Sequence, residues 1–97
     1  MTFVVTDNVT GYPVAGALVS LTWSEVKSYH RHPVLQLHRL NKRTNNMGIA
    51  VFSNVNTGIY KYRVNGENYS SAPGRINVTG DVGVQVNLVQ ESEEEYD

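Results

Sequence analysis

Ala17-Leu18-Val19-Ser20-Leu21-Thr22-Trp23 is the stretch on which the fold turns. Apolar side chains recur at every second position (Ala17, Val19, Leu21, Trp23), with Leu18, Ser20 and Thr22 between them. A period of two belongs to a strand with one face in a core and the other toward water. The same alternation returns in Tyr60, Tyr62 and Val64, and again in Val82, Val84, Val86 and Leu88. No window carries a 3.6-residue apolar period. Extended outward, the reading places strands at Phe3–Thr6, Ala15–Trp23, Val34–Leu40, Ile49–Phe52, Ile59–Val64, Arg75–Val78 and Val82–Val89. Turn-forming stretches separate them, among them Asp7–Pro13, Asn45–Gly48, Asn54–Gly58 and Ser70–Gly74. About seven short strands punctuated in this way predict an all-β fold, a single β-sandwich.

Composition agrees with one folded unit. The chain has 97 residues, 40% hydrophobic and 18% charged, which suits a single globular domain and not a disordered chain. No apolar run approaches the roughly 20 residues of a membrane-spanning helix. With no cysteine, a disulfide framework, a thiolate zinc site and a cysteine nucleophile are all excluded. Net charge is −1, so no bulk positive field argues for nucleic acid. Met1 runs directly into Thr2-Phe3-Val4-Val5-Thr6, with no basic n-region or apolar h-region before it. That arrangement is expected of a complete small protein made without a secretion signal, the alternative being a domain excised from a longer chain.

The charges are unevenly placed. Residues 1–90 are expected to form the sandwich, with a basic insert over 24–43, and residues 91–97 an acidic tail. Lys27, Arg31, Arg39, Lys42 and Arg43 fall between positions 27 and 43 with all three histidines and no acid. Glu91, Glu93, Glu94, Glu95 and Asp97 supply five of the nine acids in the last seven residues. A run of like charge repels itself and favours a mobile end. The two segments are expected to take part in contacts with neighbouring molecules.

Three stretches resemble a known superfamily. Val5–Val19 follows the "V-x-D-x-x-G-x-P-V-x-G-A-x-V" opening of carboxypeptidase regulatory-like domains. Thr44–Tyr60 is similar to their "T-D-x-x-G-x-A-x-F-x-x-V-x-x-G-x-Y" middle, and Gly66–Tyr69 with Val82–Leu88 to their closing turn and strand. The resemblance implies a transthyretin-like (prealbumin-like), immunoglobulin-like seven-strand sandwich, related to collagen-adhesin B-type domains. It also implies that Ala50 and Phe52 face inward, leaving Ile49 and Val51 outward as a contact surface. Trp23, Phe52, Tyr60 and Tyr62 are the expected core anchors. Gly11 and Gly48 follow polar turn residues where positive φ is expected, and Ala15 and Ala17 would let the sheets approach closely.

Activities found in that superfamily do not carry over. The transthyretin-like hydrolase ends in Tyr-Arg-Gly-Ser and uses histidines that this first strand lacks; here the last residues are Glu95-Tyr96-Asp97. The Lys–Asn isopeptide bond of adhesin domains has a candidate asparagine in Asn87 but no lysine in the first strand. His30 and His32, at i and i+2, could supply two metal ligands, yet a site needs three or four and no acid lies nearby, so a solvated basic loop is the expectation. No G-x-S-x-G or phosphate-binding loop occurs. Trp23 and Tyr29 with the basic residues are too few for a nucleic-acid stacking surface, and Tyr12, Tyr29 and Tyr69 leave glycan binding open. The expected role is non-enzymatic and free of cofactor or metal. The favoured reading is an accessory or decoration protein bound to the major capsid or tail protein at a bacteriophage virion surface. The alternative is a glycan- or protein-binding adhesion module of a longer extracellular or cell-surface chain.

Overall fold

A computed structural model describes residues 1–91. Seven strands follow one another: β1 (Thr2–Asp7), β2 (Leu18–Tyr29), β3 (His32–Arg43), β4 (Ile49–Val51), β5 (Gly58–Asn65), β6 (Ala72–Val78) and β7 (Gly83–Leu88). They form two sheets, three-stranded β4-β1-β7 and four-stranded β3-β2-β5-β6. β1 runs parallel to β7, and every other pairing is antiparallel. The fold is an all-β sandwich. No helix long and apolar enough to cross a membrane occurs among the described residues.

The core lies where the alternating residues meet. Phe3 and Val5 from β1, Val19 and Leu21 from β2, Val64 from β5 and Leu88 from β7 are fully buried. Phe3 sits at the centre, edge-on to Phe52 at 5.8 Å and to Tyr62 at 5.3 Å between ring centroids. The sequence reading placed no anchor on Phe3. Ala50 and Phe52 face inward, Ile49 is half-buried and Val51 is exposed. Tyr60 is buried and Tyr62 half-buried, its ring lying over Gly74, the residue directly opposite it on β6. Trp23, like Tyr62, packs against the core from its edge. It is only half-buried, at the margin of the core against Tyr60, because β2 leaves the sandwich at that level.

Two buried polar groups stitch the loops to the sheets. Thr44 Oγ1 donates to the Val14 carbonyl at 2.6 Å and accepts the Ala17 N–H at 2.9 Å. Asp7 Oδ1 accepts the N–H groups of Val9 and Thr10, while its Oδ2 accepts the Tyr69 hydroxyl at 2.7 Å and the Gln90 amide at 2.9 Å. The Thr10 and Val9 amides, Tyr69 and Gln90 hold the Asp7 carboxyl well below the usual range, the Thr10 contribution being largest. Gly48 has φ +74°, and a Cβ there would run into the Val5 carbonyl oxygen, so the β3–β4 turn admits only glycine without rearrangement.

Two expectations fail in the connections. Ala15 is exposed in the turn before β2 and lies outside any strand; only Ala17 is buried between the sheets. The basic insert over 24–43, expected to hold one short strand at Val34–Leu40, is strand throughout except for a turn at His30 and Arg31. β2 and β3 form one hairpin of 12 residues a side, paired from Leu18↔Arg43 to Tyr29↔His32.

Candidate interaction surfaces

The hairpin outruns the sheet that supports it. β2 pairs with β5 only from Leu18 to Thr22, whereas its pairing with β3 continues seven further residues, from Trp23↔His38 to Tyr29↔His32. At about 3.3 Å per residue, those seven pairs project roughly 23 Å. The molecule accordingly measures 61 × 34 × 18 Å. Its radius of gyration is 16.2 Å, against roughly 13 Å for a compact domain of this size.

The base of the arm is fixed by aromatic packing. The Trp23 indole stacks on the His38 ring, its cross-strand partner, at 5.2 Å and 17°. His38 Nε2 faces the Glu25 carboxylate at 3.4 Å. The Tyr60 hydroxyl donates to the Asn56 carbonyl, and burial first, then Glu25, raises its pKa. Beyond this point the arm has no second layer to cover it. Val26 is 68% exposed, its cross-strand partner Leu35 63%, and Leu37 81%. These three project from the same face of the hairpin, since Leu37 and Leu35 are two apart on β3. At the tip, His30 and Arg31 form the two-residue turn with φ of 47° and 71°.

Nearer the sandwich, the same outer face of the four-stranded sheet turns basic. Arg39 on β3, Lys61 and Arg63 on β5 and Arg75 on β6 are all exposed there. Register aligns three of them in one row, Arg39↔Thr22↔Lys61↔Arg75, crossing four strands. Arg63 stands two residues along from Lys61 on the same face. Ser20, Thr22, Arg39, Lys61, Arg63, Asn65 and Pro73, with Tyr62 and Gly74 between them, line a broad groove over this row. The opposite outer face, on the three-stranded sheet, is neutral: Thr6, Gln85 and Asn87 hydrogen-bond to one another along it. Asn87 therefore lies on the exposed face beside Thr6, not in a buried isopeptide position.

The predicted interaction residues are dispersed by the fold. Lys27 and Arg31 lie on the arm, and Arg39 joins the basic row. Lys42 Nζ donates to the Val51 carbonyl at 2.8 Å, and Arg43 to the Gly16 carbonyl at 3.0 Å. Those two tie β3 to the other sheet and to the preceding turn, so the insert does not form one basic patch. Glu91 is exposed, and its N–H donates to the Asn68 carbonyl at 2.9 Å. Glu93, Glu94, Glu95 and the side chain of Tyr29 lie outside the described residues. His30 sits in the turn and His32 at the start of β3, so the two are not neighbours on one strand face. Among the described residues no three His, Asp or Glu side chains converge as a metal site would require.

Sequence reading missed both surfaces. The arm shows no alternation on β3, where nearly every residue is exposed, and the basic row draws on three strands far apart in the chain. Compared with known proteins, the chain matches no family model and no curated protein.

Proposed function

We propose that this protein is a non-enzymatic interaction module, an accessory subunit that docks on a larger protein assembly through its β2–β3 arm. The observation that carries the reading is an unsupported two-stranded ribbon bearing Val26, Leu35 and Leu37 exposed on one face. A two-stranded ribbon alone is marginal in water, and exposed large apolar side chains gathered on one face mark a contact surface. A partner that lays an apolar surface against this outer face buries side chains that otherwise stand in water. The free edge of β3 offers unpaired backbone groups to the same partner. The sandwich beneath acts as the rigid base, its core closed without any residue beyond Trp23 on the arm.

The setting we favour is a virion surface, with the major capsid or tail protein as partner, by analogy with the small sandwich domains that decorate such particles. The resemblance to carboxypeptidase regulatory-like domains supports the scaffold role in this proposal, since it brings no catalytic residue with it. The test is binding to the cognate assembly by the natural chain and by Leu35→Ser/Leu37→Ser. Both should melt alike, and the variant should bind at least tenfold more weakly. Equal binding by a folded variant would sink the docking role of the arm.

A further inference from the structure

We propose that the basic outer face of the four-stranded sheet is a carboxylate-binding site, and that its occupant is the acidic segment Glu91–Asp97 of the same chain. This site lies on the same outer face as Val26, Leu35 and Leu37, nearer the sandwich, and does not depend on the docking role assigned to the arm.

Arg39, Lys61, Arg63 and Arg75 are exposed on one sheet face, and none of them pairs with an acid among the described residues. Lys61 and Arg75 are direct cross-strand partners. Like charges placed opposite one another destabilise a sheet, so this row costs stability unless an anion lies across it. The flanking side chains are Ser20, Thr22 and Asn65, neutral hydrogen-bonding groups. Leu18, Ser20, Thr22, Ser24, Ile59, Asn65, Pro73 and Asn77 complete the β2, β5 and β6 parts of this face, which has no acid. The groove has one aromatic ring, Tyr62, half-buried over Gly74 and against Phe3, too little for a nucleic-acid strand to stack successive bases. Guanidinium forks are instead suited to carboxylates, which they can grip with two parallel hydrogen bonds.

The chain holds a matching anion at the right place. Glu91, Glu93, Glu94, Glu95 and Asp97 carry five negative charges within seven residues. Glu91 is fastened to the Asn68 carbonyl, in the loop that follows β5. Asn65, at the end of β5, is only three residues before Asn68 and already lines the basic groove. Six residues beyond Glu91 can span at most about 20 Å, and Arg63 and Lys61 stand two and four residues back along β5 from Asn65, about 7 and 13 Å. Each exposed pair is weak alone, at most about 1 kcal/mol. A short tether raises the local concentration of its end to the millimolar range, which makes several weak pairs sufficient within one molecule but not between dilute molecules.

The experiment compares the amide and side-chain N–H resonances of the full chain with those of Glu93→Gln/Glu94→Gln/Glu95→Gln/Asp97→Asn. At low salt, the signals of Lys61, Arg63 and Arg75 should shift between the two proteins. The difference should persist on tenfold dilution and vanish near 1 M salt, where the Debye length falls to ~3 Å. Lys61→Gln/Arg63→Gln in the full chain should abolish it. Polyglutamate, used as an external probe, should bind the neutralised variant severalfold more tightly than the full chain. Unmoved resonances at these three residues, or shifts confined to Lys27 and Arg31 on the arm, would overturn the assignment. A difference that disappears on dilution would overturn the same-chain occupant.

Discussion

Asp7 is a single residue with four hydrogen-bond donors aimed at its carboxylate, from the turn after β1, from the β5–β6 loop and from the residue-90 side chain. It therefore links three parts of the chain that meet at one end of the sandwich. Because its folded pKa is depressed below the unfolded value of about 3.9, its contribution is complete above that pH and is lost as pH falls toward the folded value. We predict that the melting temperature drops steeply below about pH 4, and that Asp7→Asn melts lower at neutral pH with a flatter acid limb. A variant with the same acid limb as the parent would refute the assignment. Tyr69, whose hydroxyl donates to Asp7, has its pKa raised by that bond first and by burial second, so Tyr69→Phe should lie between the two. Thr44 makes the comparable link on the other side of β1. Thr44→Val leaves the Ala17 N–H and the Val14 carbonyl without their side-chain partner. It should cost about 1–3 kcal/mol despite keeping the shape, measurable as a lower urea midpoint with unchanged slope.

The arm is the element whose behaviour differs most from the rest. Its turn is built from His30 and Arg31, both at positive φ, where Asn-Gly would be the unstrained choice. A left-handed backbone costs a non-glycine residue about 1–2 kcal/mol. His30→Asn/Arg31→Gly should therefore slow amide exchange over Val26–Leu35 by about tenfold or more, with little change in the global melting temperature; unchanged exchange would mean the turn holds no strain. This element also shows where legibility stops. Strands β1, β5 and β7 were readable because one face of each is buried, and burial is what writes a period of two into a sequence. β3 has only Gln36 and His38 partly covered, so no such period was written and its length was underestimated at both ends. Its turn carries no glycine to mark it. His32 reads as loop because it is soluble, but its cross-strand pairing with Tyr29 needs no apolar content. Register was equally hidden, and with it the row from Arg39 to Arg75.

At the scale of the whole molecule, stability and binding are assigned to different parts. The fully buried side chains come from Phe3, Val5, Val19, Leu21, Val64 and Leu88, none of them on the projecting part of the hairpin. The strand pairings that close the sandwich, β1 with β4 and β7, and β2 with β5, likewise end before Trp23. Ser24 and Leu37 are cross-strand partners, so the ribbon can be cut there and closed by a two-residue Asn-Gly turn without disturbing register. The expected product keeps the parent's cooperative melting and most of its midpoint, because the excised residues Glu25–Gln36 contribute little burial. Glu25 is the one loss felt at the base, where it faces His38 and stands near Tyr60. Its removal should lower the Tyr60 pKa toward the ordinary value, since its charge is the smaller of the two causes that raise it. Binding to the assembly should be abolished. The basic face should still recognise carboxylates, since Arg39, Lys61, Arg63 and Arg75 all remain. A collapse of the melting transition on excision would show that the arm belongs to the core after all, and its proposed role as a docking element would then have no separate structural basis.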